Sequence, residues 1–257
     1  VKGSGFVVLL TAAVLLSGCA SQSGGTGAGH SPEQTLEAYT GLGVQYLQAG
    51  NTVNAKLSLQ RALELDEDYA PALSALALAF QSEQEYELAE RYFKKALAAE
   101  SDAARIHNNY GAFLFSLQRY AEACEQLSAA TDDPFYSGRA QAFENLGRCY
   151  RLIERDTDAA EAFQRALAIN GNRPHALVAL AQLEFDQGEL ASAARRFSRF
   201  LMLVEQRRTE HTPASLWLGI QLARAEHNTS KASTYALILR NTYPRSAEYR
   251  RYEESTQ

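Results

Sequence analysis

The sequence predicts an all-α solenoid of about six stacked helix pairs, ended by a polar C-terminal helix. Small residues recur at Gly43, Ala77, Gly111, Gly147, Ala181 and Gly219, at spacings of 34, 34, 36, 34 and 38. Three further registers move with them. They are Ala55, Ala89, Ala123, Ala159 and Ala193; Leu59, Phe93, Leu127, Phe163 and Phe197; and Ala62, Ala96, Ala130 and Ala166, with Phe200 replacing a fifth small residue. All share one two-residue insertion, placed at the turn-forming cluster Asp132-Asp133-Pro134. A period in this range, sustained along the chain, marks a stacked array in which each unit buries its apolar face on its neighbours. Composition agrees: alanine and leucine dominate and favour helix, while only six prolines interrupt 257 residues.

The N-terminus precedes the array. Lys2 supplies a positive charge, and Phe6 to Leu16 form an apolar run of eleven residues. That run is too short for a bilayer core, which takes about 20 residues, and has the length of a secretory h-region. A buried N-terminal helix is the other reading, but the Gly/Ser-rich stretch from Ala20 to Ser31 offers it no local partner. Leu16-Ser17-Gly18-Cys19 resembles the bacterial lipobox, which implies cleavage before Cys19 and acylation of that residue. Each buried acyl CH₂ contributes about 0.8 kcal/mol, so several chains anchor stably. Ala20, rather than an aspartate, follows the cysteine, which resembles lipoproteins sorted to the outer membrane. Residues 1–18 are thus expected to be a lipoprotein signal peptide, and 19–35 the lipidated Cys19 with a flexible tether. A dozen Gly/Ser-rich residues span roughly 17–21 Å on average.

The array itself divides into 36–69, 70–103, 104–139, 140–173, 174–207 and 212–245. It resembles the tetratricopeptide repeat, in which helix A, a tight turn and helix B repeat every 34 residues, and which implies a right-handed superhelix. Repeat 1 carries the likeness: Tyr39, Leu42, Gly43 and Tyr46 on helix A, and Ala55, Leu59 and Ala62 on helix B. Gly43 and Ala55 mark the crossing of two antiparallel helices, where a bulky side chain would push them apart. Gly50-Asn51 supplies the turn between them. The stretch LMLVEQRRTEH before repeat 6 predicts a long second helix in repeat 5. Residues 246–257 read as a polar C-terminal cap, which a solenoid needs over its last apolar face.

Helix A lines the inside of the superhelix in this family, at about the second, fifth, ninth and twelfth positions of each repeat. These are Glu37, Thr40, Val44 and Leu47 in repeat 1, Pro71, Ser74, Leu78 and Gln81 in repeat 2, and Arg105, Asn108, Ala112 and Phe115 in repeat 3. Repeat 4 presents Gln141, Glu144, Arg148 and Arg151, a polar set. The N-terminal half therefore offers an apolar strip of Val44, Leu47, Leu78 and Phe115, with Asn108 beside it. One reading is a groove for an amphipathic helix or extended segment of another protein. The other is that neighbouring helices or the tether cover these side chains. A chaperone-type carboxylate clamp is not expected, since Thr40 and Val44 occupy its places in repeat 1.

Catalytic and cofactor chemistry is not expected. The sequence has no Walker loop, nucleotide fingerprint, zinc spacing or HExxH. Its five histidines are dispersed, and His107 occupies a packing position. With a net charge of −5 and no basic stripe, nucleic acid is not an expected partner; neither is a small-molecule substrate. Cys124 falls on helix B of repeat 3 and Cys149 on the neighbouring helix A of repeat 4. An oxidising compartment permits a disulfide, but free thiols packed as small hydrophobes are the favoured expectation.

A lipobox followed by six repeats resembles the pilotin lipoproteins of type IV pilus biogenesis, the PilF/PilW family. The stretches YTGLGVQYLQAGNTVNAK, RIHNNYGAFLF, AFENLGRCY, LWLGIQLAR and YPRSAEY carry this likeness across nearly the whole chain. It implies a lipid-anchored outer-membrane protein facing the periplasm. Such a protein binds subunits of the pilus secretin through its N-terminal repeats and promotes their localisation and multimerisation. The alternative function is another repeat lipoprotein, scaffolding peptidoglycan hydrolases or outer-membrane assembly.

Overall fold

The computed structural model describes residues 31–256. Cys19, the signal segment and the tether up to residue 30 lie outside the described residues. Thirteen helices occur among the described residues: α1 (Pro32–Gln48), α2 (Thr52–Leu65), α3 (Ala70–Ser82), α4 (Tyr86–Ala99), α5 (Ala104–Ser116), α6 (Tyr120–Ala129), α7 (Arg139–Leu152), α8 (Asp156–Ile169), α9 (Pro174–Asp186), α10 (Leu190–Glu205), α11 (Pro213–Ala225), α12 (Thr229–Thr242) and α13 (Ala247–Glu254). None is long and apolar enough to cross a membrane. Successive odd and even helices pair as hairpins, and the hairpins stack in chain order.

The array begins earlier than the repeat boundary suggested. Ser31 Oγ accepts from the Gln34 backbone N–H at 3.1 Å, and Gln34 Oε1 accepts from that of Ser31 at 3.0 Å. This capping box satisfies two donors at the helix start, and Pro32 takes the first turn, where no N–H is needed. Pro32–Thr35 are therefore helical, and the expected tether of 19–35 is shortened at that end.

Within each pair, one backbone motif closes the first helix. The N–H groups of Asn51, Glu85, Arg119, Arg155, Glu189 and Asn228 reach back five residues to carbonyls at 2.8–3.0 Å. That is the Schellman arrangement, which puts the preceding residue in the left-handed region. Gly50 and Gly188 suit it, but Gln84, Gln118, Glu154 and His227 adopt the same positive φ. The turn is thus imposed by the packing of the two helices, not by glycine alone.

The crossing itself obeys the spacing. A Cβ on Gly43, Gly111, Gly147 or Gly219 would lie 2.6–2.9 Å from Leu59, Leu127, Phe163 or Tyr235, always the residue sixteen positions on. Tyr235 therefore extends the register of large residues into repeat 6, whose second helix is the most degenerate. Phe93, Phe163 and Phe200 are fully or almost fully buried, and the apolar core runs unbroken from α3 to α12. A smaller cluster of Leu59, Ala62, Ala72, Ala75 and Leu76 joins the first pair to the second.

Ion pairs staple successive repeats. Lys56 Nζ lies 2.6 Å from Glu83, and Arg119 forks onto Glu90 at 2.6 and 3.1 Å. Arg173, the N-cap residue of α9, forks onto Glu144 of α7 at 2.9 and 3.0 Å and so links the fourth pair to the fifth. α10 has sixteen residues, against fourteen in α8 and α12, so the second helix of repeat 5 does run long. α13 packs on α11 and α12 as the expected terminal cap, with Tyr249 and Tyr252 against the core.

One expectation is overturned. Cys124 and Cys149 are joined by a disulfide, with Cα atoms 5.6 Å apart, rather than packing as free thiols. α6 has only ten residues and residues 130–138 form a loop before α7. This reversal brings Cys124 opposite Cys149 at a separation the repeat period does not predict.

Candidate functional site

The inner face of the solenoid follows from how the helices touch. Each odd-numbered helix packs closely on the next odd-numbered one, from α1 through α13, whereas among the described residues the backbones of successive even-numbered helices stay further apart and meet only through long side chains such as Phe197 and Tyr235. The odd helices therefore converge on the concave side and the even helices splay on the convex side.

The predicted strip lies on α1, α3 and α5. Val44 and Leu47 are half-buried against the Leu59–Leu76 cluster, while Leu78 and Phe115 are half-buried against the main core. Each keeps part of its surface open. The Phe115 ring meets Tyr120 edge-on at 5.4 Å, and the Arg148 guanidinium sits 5.1 Å from its centroid. Asn108 Oδ1 accepts from Asn145 Nδ2 at 3.2 Å, so Asn108 ties α5 to α7 beside the strip.

The fifth repeat position departs from the inward-facing expectation. Thr40, Ser74 and Glu144 are buried between neighbouring helices. Glu144 accepts from Arg173 and from the Ala176 backbone N–H at 3.2 Å, which makes it a bolt between repeats 4 and 5 rather than a groove residue. A helix packed on both flanks presents only a narrow inward stripe, so the ninth and twelfth positions remain open while the fifth is covered in repeats 1, 2 and 4; Asn108, the fifth of repeat 3, is half-buried.

The titratable groups of the array serve packing. Glu90 is held at about 2, below its ordinary 4.5, chiefly because Arg119 donates to it. Burial, with the Glu90 charge second, pushes Tyr110 up to about 12. His107 Nε2 donates to the Ser101 carbonyl at 2.8 Å, and Nδ1 lies 2.8 Å from the Gln126 amide, so the ring ties the turn before α5 to α6. His211 is lowered by burial and sits against Phe200 and Tyr235. Among the described residues no group of three His, Cys, Asp or Glu side chains could hold a metal ion.

Sequence reasoning missed a second concavity, of about 500 Å³, on α7, α9, α11 and α13. Arg148 and Arg151 were read as inward-facing, but Trp217 and Gln221 were not. The inward-facing side of α11 is carried by Ala214, Trp217 and Gln221, each one place after an assigned inner position, because extra residues before repeat 6 shift the register.

Models of the tetratricopeptide repeat match residues 36–69, 72–105 and 102–172. The type IV pilus assembly protein PilF of Pseudomonas aeruginosa is 38% identical over 221 residues, which cover 86% of each chain. The solved structure of Pseudomonas aeruginosa PilF superposes with a TM-score of 0.80 at 37% identity, covering 87% of this chain and 99% of that one. The crystal structure of PilW, a widely conserved type IV pilus biogenesis factor, gives a TM-score of 0.70 at 29% identity, covering 85% and 98%. With this identity spread over nearly the whole array, the chain belongs to the PilF/PilW family of tetratricopeptide-repeat proteins.

Proposed function

We propose that this protein acts in type IV pilus biogenesis as a pilotin, a non-catalytic carrier that binds secretin subunits and promotes their multimerisation in the outer membrane. The apolar strip of Val44, Leu47, Leu78 and Phe115 carries this reading. It is half-open on the concave face, where an amphipathic segment can lay its own apolar side, and it belongs to a chain whose relatives are pilus assembly factors. Acylated Cys19 supplies location at the outer membrane, facing the periplasm, and the tether supplies reach. The Cys124–Cys149 disulfide suits an oxidising compartment.

The test is complementation of a strain lacking this gene. The wild-type protein restores secretin multimers in the outer membrane. Leu78→Glu and Phe115→Glu keep their helical circular dichroism and weaken secretin capture about tenfold or more, as loss of an interface anchor does. Cys19→Ser leaves an unprocessed precursor in the inner membrane. Secretin multimers forming normally without the gene would end the pilotin role, and unchanged capture by both glutamate variants would remove the strip. Recovery of Cys19→Ser in outer-membrane fractions would refute the lipid anchor.

A further inference from the structure

The concave face of repeats 4–6 carries a recess that the pilotin reading leaves unused. Its volume of about 500 Å³ falls within the range of binding pockets, about 300–1,000 Å³. Val178 and Ala179 on α9 and Trp217 on α11 make its apolar part. Arg148 and Arg151 from α7 face it on one side, and Arg251 from the capping helix α13 on the other. The cap is therefore also a wall of the recess.

The charge of the recess points to a ligand. Arg148, Arg151 and Arg251 are exposed, and none forms an ion pair among the described residues. Residues 1–30 contain no Asp or Glu that could serve. Two carboxylates also line the recess, Asp186 and Glu248, and Asp186 already accepts from Gln182 Nε2 at 2.8 Å. Three guanidiniums against two carboxylates leave a positive excess in a chain of net charge −5.

We propose that this recess binds an extended acidic segment of a partner protein. Asp or Glu side chains dock on the three guanidiniums, whose planar forks match carboxylates. An adjacent apolar side chain lies against Trp217. The site is distinct from the strip on α1, α3 and α5; Arg148, stacked on Phe115, is where the two meet.

Trp217 is the chain's single tryptophan, so its emission reports occupancy directly. The probe is a hexapeptide of alternating aspartate and leucine, blocked at both ends to remove terminal charges, added to the full array. The expected result is a saturable change in Trp217 emission that weakens with ionic strength. The same peptide with asparagine for aspartate binds about tenfold weaker or worse, as loss of charge-assisted hydrogen bonds implies. Arg151→Gln with Arg251→Gln abolishes the difference between the two peptides, and Arg151→Gln alone reduces it if the double variant disturbs α13. Leu78→Glu leaves peptide binding unchanged, so failure here and failure of the secretin strip are read separately. No saturable response at millimolar peptide, equal affinity for the asparagine peptide, or indifference to the arginine variants would overturn the proposal.

Discussion

Cutting the Cys124–Cys149 bond tests how the two halves of the solenoid are held together. The bond closes a stretch of 25 residues between α6 and α7, across the insertion loop. In the chain-entropy model, a cross-link of that span removes denatured-state freedom equivalent to about 3.5 kcal/mol at 25 °C. Both cysteines are buried, at 6% and 0% exposure, so reducing the wild-type protein isolates the linkage from the loss of side-chain volume that Cys→Ala variants would add. A stack of repeats is stabilised chiefly by nearest-neighbour interfaces, so the loss falls on the junction of repeats 3 and 4. Urea unfolding followed by circular dichroism, with and without reductant, should show a destabilisation of about 3.5 kcal/mol. Amide exchange should accelerate first in α6 and α7. Equal urea midpoints in the two redox states, or acceleration confined to the chain ends, would refute this account.

Gly147→Ala places a methyl group 2.7–2.9 Å from the fully buried Phe163 ring, and should cost about 1–3 kcal/mol through overpacking. Gly41→Ala, whose Cβ meets nothing within 4 Å, should instead stabilise by about 0.5–1 kcal/mol through helix propensity. Thermal denaturation of both variants checks the contrast, and equal shifts would refute the crossing argument. Acid titration probes the Glu90–Arg119 fork, which Lys94, Tyr110 and Glu122 surround. A folded-state value of about 2, below the ordinary 4.5, makes its contribution full above pH 4.5 and lost as pH falls toward 2. Glu90→Gln should flatten the melting temperature across that window, and an unchanged acid slope would exclude the fork as its source.

The repeat period was legible because each helix pair solves the same packing problem. A small residue at the crossing and a large one sixteen places later recur wherever two helices must approach closely, as in Gly43 with Leu59 and Gly147 with Phe163. The long α10 was legible for the same reason, since LMLVEQ continues its apolar pattern past the usual stop. The half-burial of Val44, Leu47, Leu78 and Phe115 against two separate clusters was not legible. The turns were only partly legible. Gly50 and Gly188 announce them, while Gln84, Gln118 and Glu154 enter the left-handed region under tertiary constraint.

By itself, then, the sequence determined an all-α array, its repeat period, the small residues at the helix crossings and the family likeness. All of these depend on contacts between residues a fixed short distance apart, which a periodic chain repeats. Only the tertiary structure decided what depends on distances the period does not set. It paired Cys124 with Cys149 across the insertion, covered the fifth inner position with the next helix, and brought Arg151, Trp217 and Arg251 from three separate helices to one recess. Those juxtapositions come from stacking and from the offset before repeat 6, where a few extra residues rotate a helix face.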